Sequence, residues 1–208
     1  MNSQLLENNR IVAVLLIAVF SAANLQAQTK AERKAVAYLQ VDQLKNGALL
    51  ARLQTRELAI NALRKTGKEA KANEIEKLQK AINKDILKAF RLNFKFAPVY
   101  FFYSNYSAQV GAGETDKIVF LNDSLQPGPS IRFNIKSFLT GEIGQVEKAG
   151  FGAAFLRDNK LQQLKRHFPF YATTFETFAP FRRTRAVTVQ KLNAKLEKFY
   201  NKRVNLKV

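Results

Sequence analysis

The 208-residue chain contains no cysteine and a single histidine, and these two shortages remove most metal and nucleophile chemistry. A structural zinc site draws about four ligands mainly from Cys and His, and a catalytic one about three, so no His/Cys site can be assembled. Without cysteine there is no disulfide, no thiolate and no lipid attachment at a cysteine behind an export signal. Oxygen ligands remain, but no Asp-x-Asp-x-Asn/Asp-Gly calcium loop is present. Serine hydrolysis through His167 would need a Gly-x-Ser-x-Gly elbow, which is also missing. His167 sits beside Phe168-Pro169-Phe170-Tyr171 and reads as packing an aromatic loop. Gly111-Ala112-Gly113-Glu114-Thr115-Asp116-Lys117 lacks the Gly-Lys-Ser/Thr of a phosphate loop and reads as a surface turn. No internal repeat or low-complexity segment occurs, and no cofactor is expected.

The chain does have one unbroken apolar run, the ten residues from Ile11 to Phe20. It is too short to span a bilayer, which takes about 20 residues. It is followed by Ser21-Ala22-Ala23-Asn24-Leu25-Gln26-Ala27, whose small residues suit a cleavage site. We read residues 1–27 as an export signal cleaved between Ala27 and Gln28, with Ala23 as the alternative. Removing 27 of 208 residues leaves 181, the size of one domain, with no transmembrane helix expected in it.

The formal net charge is +18, from 34 Lys and Arg against 16 Asp and Glu. It is distributed: residues 28–93 carry fifteen basic and seven acidic side chains, and residues 94–208 carry eighteen and eight. In a cytosolic protein such a balance points to nucleic acid. Export turns the expectation to an anionic envelope component, or to another envelope protein, and nucleic acid is not expected as a partner.

Helix and strand signals follow in order. Thr29 and Glu32 have capping-box spacing for a helix to residue 45, stopped at Asn46-Gly47. Residues 48–54 fit either a continued helix or a short buried strand set off by Gly47, and strand is the reading adopted. Thr55 is placed to cap a second helix to Lys65, and residues 68–93 form a third with Ile75, Leu78, Ile82, Ile86 and Phe90 on one face. Val99-Tyr100-Phe101-Phe102-Tyr103 is expected as the central strand, with further strands at 117–121, 137–143 and 152–157. Asp158-Asn159-Lys160 reads as a hairpin tip. A final helix is expected over 184–202.

The expected fold is α/β or α+β, a mixed sheet of about four to five strands covered by helices, with N-terminal helices and a C-terminal helix. Within one domain, 28–93 is mostly helical, 94–183 mostly strands and loops, and 184–202 helix.

Two features point to a site. Arg182, Arg183 and Arg185 sit at the entrance of the last helix, where positive charge opposes the macrodipole, so they either turn away or hold something acidic. Tyr103, Asn105 and Tyr106 lie past a strand end, where α/β clefts form. Together these residues define the expected binding surface of a non-enzymatic exported protein. The alternative is a carboxylate-dependent hydrolase of an envelope or extracellular polymer, drawing on Glu114, Asp116, Asp123, Glu142, Glu147, Asp158 or Glu176, among which the sequence selects no pair.

Overall fold

A computed structural model describes residues 30–145, 152–164, 167–174 and 183–205. The chain divides into two compact units, Met1–Val36 and Ala37–Val208. In the first, only the opening of helix α1 (Lys30–Lys45) is described. Ala27, Gln28, Arg182, Glu147 and Glu176 lie outside the described residues.

The second unit is α+β, with a mixed sheet in the order β3-β2-β1-β4-β5-β6. The strands are β1 (Ala48–Leu53), β2 (Val99–Tyr103), β3 (Phe120–Leu121), β4 (Phe138–Gln145), β5 (Gly152–Arg157) and β6 (Tyr171–Thr173). β2, β1 and β4 are parallel, and β3, β5 and β6 each run antiparallel to their inner neighbour. The remaining helices are α2 (Glu57–Lys65), α3 (Glu69–Asn93), α4 (Ser107–Ala112) and α5 (Arg185–Val204).

Alternation along β1 sorts its side chains onto two faces. Leu49, Ala51 and Leu53 join the main core with Val41 and Leu44 of α1, Ile86 and Phe90 of α3, and Val189, Leu192 and Leu196 of α5. Ala48 and Leu50 face a second core with Phe102, Val110, Phe120 and Phe138. In that second core Phe133 meets Tyr100 at 5.1 Å and Phe120 at 5.2 Å, ring centre to ring centre. Each such aromatic or leucine side chain taken from water contributes about 1.5–3 kcal/mol.

The structure bears out the α+β architecture and changes several details. Residues 48–53 are indeed strand, but β1, not the aromatic β2, is central, because β2 has only the two-residue β3 outside it. The density of aromatics in β2 reflects its two cores rather than its position. Of the stripe expected on α3, Ile86 and Phe90 are buried, Ile75 and Ile82 half-buried, and Leu78 is exposed. The buried line runs instead through Ala72, Gln79, Asn83, Ile86 and Phe90, and at about 100° per residue Leu78 lies about 120° from its centre. Asn83 Nδ2 donates to the Gln54 carbonyl at 2.7 Å and Asn83 Oδ1 accepts from Gln79 Nε2 at 3.0 Å, which is why polar residues occupy that line.

Thr55 does not cap α2. Its amide donates to Ser104 Oγ, and Arg56 occupies the N-cap in the left-handed region, φ 53°, with no side-chain cap. The strand expected at 117–121 shortens to β3, because Thr115–Lys117 is a 3-10 turn. The hairpin tip carries only an isolated bridge between Arg157 and Gln163; Asp158 Oδ1 instead accepts the amides of Lys160 and Gln162, closing a local turn. β6, which begins at the last residue of the aromatic stretch 168–171, is an addition to the expected strands and raises their number to six. Gly47 is required by close approach, since a Cβ there would lie 2.0 Å from the Ser137 carbonyl oxygen.

Thr184 caps α5, its hydroxyl accepting the Val187 amide. Further along, Asn193 Oδ1 accepts the amides of Lys95 and Phe96 at 2.7 and 2.9 Å, tying α5 to the entry of β2.

Candidate functional site

The parallel core creates a switch point. From β1 the chain crosses to β2 on one side, while β4 lies on the other, and in open sheets of this kind a crevice opens at the carboxyl ends of the diverging strands. Here that crevice is a cavity of about 590 Å³ wrapping the carboxyl edge of β1 and β4.

The pleat delivers its charged residues. Arg52 follows Ala51, which pairs with Gly141, so Arg52 stands next to Glu142 on the same face. Glu142 pairs with Phe155 and Thr140 with Arg157, placing Arg157 on the other flank. Arg52 Nη1 donates to Glu142 Oε2 at 3.1 Å, and Arg157 Nε donates to Oε1 at 3.0 Å. Gln54 Nε2 reaches Oε2 at 3.5 Å. The Glu142 side chain is 10% exposed and each arginine 26%, so a nearly buried carboxylate sits between two partly buried guanidinium groups. Arg157 also lies over the Phe155 ring, 5.2 Å from its centre. Arg52 Nε is buried with no hydrogen-bond partner.

Two helix starts complete the rim. Arg56 at the N-cap of α2 and Arg185 at the first residue of α5 both line the cleft. Arg185 Nη1 donates to Asp85 Oδ2 at 2.7 Å. The Arg56 side chain has no ion pair or hydrogen bond among the described residues. Among the described residues, four arginines against Glu142 and Asp85 leave two positive charges in excess. Ile82, Ile86, Ile143 and Phe155 supply apolar wall, and Gly144 leaves open space where a side chain would stand. Among the described residues Glu142 is the only carboxylate lining this cleft, and no second one stands beside it to form the pair used in glycoside hydrolysis.

Of the residues expected from sequence to form a binding surface, Arg185 lies in this cleft. Arg183 ties the entry of α5 to β6, its amide donating to the Thr174 carbonyl and Nη1 to that of Thr173. Tyr103 donates its hydroxyl to the Leu125 carbonyl at 3.0 Å, and burial raises its phenol above the usual value. Tyr106 packs partly against the second core, and Asn105 is exposed in the 3-10 turn Ser104–Tyr106. None of these three lines the cleft.

Among the remaining acids, Glu114 pairs with Lys117 and Asp123 with Arg91, while Asp116 is exposed. His167 is half-buried with an unpartnered Nδ1, and Asp158 is taken up by its own turn.

Sequence reasoning passed over Arg52, Gln54, Arg56 and Arg157. Arg52 did carry a signal, as the one charge inside the otherwise apolar strand Ala-Leu-Leu-Ala-Arg-Leu. Among the described residues no helix is long and apolar enough to cross a membrane. No protein-family model, curated protein or solved structure matches the chain, so the cleft is interpreted from its own geometry.

Proposed function

We propose that the protein is an exported, periplasmic or surface-exposed, non-enzymatic binding protein that holds an anionic group of an envelope component in the arginine cleft. The observation that carries this reading is the excess of two positive charges at the switch point, with Arg52 Nε buried and unpartnered. A buried donor without an acceptor leaves a desolvation cost of about 1–3 kcal/mol, and because Nε is sealed from solvent an oxyanion relieves it only when the Arg52 guanidinium swings toward the cleft. Guanidinium groups suit this task because their planar donors match carboxylate and phosphate geometry. The apolar run at 11–20 and the small residues before Gln28 support export. The distributed charge of +18 would raise the local concentration of anionic partners around the cleft.

Retention on anionic vesicles and on acidic cell-wall polymer across a salt series tests the reading. Binding at low salt that weakens as salt rises, and weakens further in Arg52→Ala and Arg157→Ala, is expected. No binding of either at low salt overturns it.

A further inference from the structure

Resting on that reading, we infer that the ligand is an amphiphile, a phosphate monoester carrying an apolar tail, with the phosphate on the arginines and the tail along the isoleucine wall. Three observations lead there. The first is charge. A phosphate monoester carries about −1.5 to −2 near neutrality, which matches the two uncompensated arginines better than a single carboxylate does. The second is size. A bare anion would occupy a small part of about 590 Å³, a volume in the range that holds whole organic ligands.

The third is the lining. Beyond the guanidinium groups the wall is Ile82, Ile86 and Ile143, while Gly144, next along β4 and so on the Glu142 face, has no atom within 4 Å of a Cβ built on it. Of the amide side chains in the lining, Gln79 already donates to Asn83 and Gln54 to Glu142, and Gln145 stands at the exposed end of β4. A sugar or other hydroxylated tail would lose hydrogen bonds to water along such a wall, whereas an alkyl chain would gain from leaving water.

The test is calorimetric titration of the mature protein with inorganic phosphate, a hexose monophosphate, and a series of n-alkyl phosphates below their micelle concentrations. Affinity should rise about fourfold for each added methylene until the cleft is filled. Octyl phosphate should exceed both inorganic phosphate and the hexose ester. Ile143→Thr, which sets a hydroxyl on the isoleucine wall, should flatten the series while leaving the affinity for inorganic phosphate unchanged. Arg56→Gly should weaken every phosphate ligand while relieving the left-handed backbone at that residue. Phosphatidic acid vesicles against monomeric alkyl phosphate distinguish a lipid head group from a free ester.

Phosphate binding with no dependence on chain length, or with the hexose ester preferred, overturns the amphiphile and leaves the anion reading standing. No binding of any phosphate overturns both.

Discussion

Arg185 Nη1 lies 2.7 Å from Asp85 Oδ2, joining the first residue of α5 to α3 across a hundred positions of chain. The pairing answers the positive charge at a helix start, because the carboxylate offsets the repulsion between the guanidinium and the helix dipole. Both side chains are partly exposed, at 33% and 55%, so the pair is worth only about 0–1 kcal/mol. Asp85→Asn should therefore shift stability by less than about 1 kcal/mol in urea denaturation. It should also strengthen phosphate binding and steepen its salt dependence, since Arg185 is released toward the cleft. Weaker binding in this variant would show that Asp85 positions Arg185 rather than competing for it.

Glu142 holds two arginines and is itself nearly out of water. Glu142→Gln should destabilise the fold by about 3 kcal/mol, because it leaves buried cationic groups without a counter-charge. Replacing the triad together, with Arg52→Met, Glu142→Met and Arg157→Met, should recover much of that loss, since well-packed apolar groups often match a buried ionic cluster. Urea denaturation of the two variants side by side checks this. A triple variant less stable than Glu142→Gln would rule out the electrostatic account.

Asn193 accepts two main-chain amides that no other group satisfies. In Asn193→Leu the amides of Lys95 and Phe96 lose their acceptor, and a cost of about 2–4 kcal/mol follows. Because the pair sits where the chain enters β2, hydrogen exchange at Phe96 should accelerate in this variant. A thermal midpoint equal to the parent's would contradict the assignment.

Tyr103 links stability to alkaline pH. Burial raises its folded pKa above the ordinary value of 10.0, so as pH climbs past 10 the unfolded chain loses its phenolic proton first. The contribution is fully present below pH 10 and is lost as pH rises through the folded value. Tyr103→Phe, lacking the bond to Leu125, should be about 1 kcal/mol less stable than the parent at neutral pH. That difference should shrink above pH 10. A gap that widens instead would reverse the sign of the linkage.

The architecture was legible where side-chain chemistry is local. Asn46-Gly47, the apolar 48–53 segment and the apolar stripe of Val189, Leu192, Leu196 and Phe199 each announce an element, and the structure places elements there. Leu78 shows where periodicity misleads, for it fits the three- and four-residue steps yet lies on the flank, the buried line being completed by Gln79 and Asn83. Their burial becomes intelligible only once the Gln54 carbonyl at the end of β1 is seen to need a donor. The cleft was harder still. Its residues come from β1, α2, α3, β4, β5 and α5, and what unites Arg52 with Glu142 and Arg157 is strand register, which no single segment encodes. Glu142 was one of seven unpaired acids in the sequence; the register distinguishes it.

The two outermost strands, Phe120–Leu121 and Tyr171–Thr173, are very short, and Arg183 covers part of the second with its own hydrogen bonds. An open strand edge is a template on which another chain can lengthen the sheet. With two and three residues on offer, a colliding copy finds too few partners to nucleate a shared ladder. Among the described residues the sheet therefore offers another copy of the chain little edge to extend.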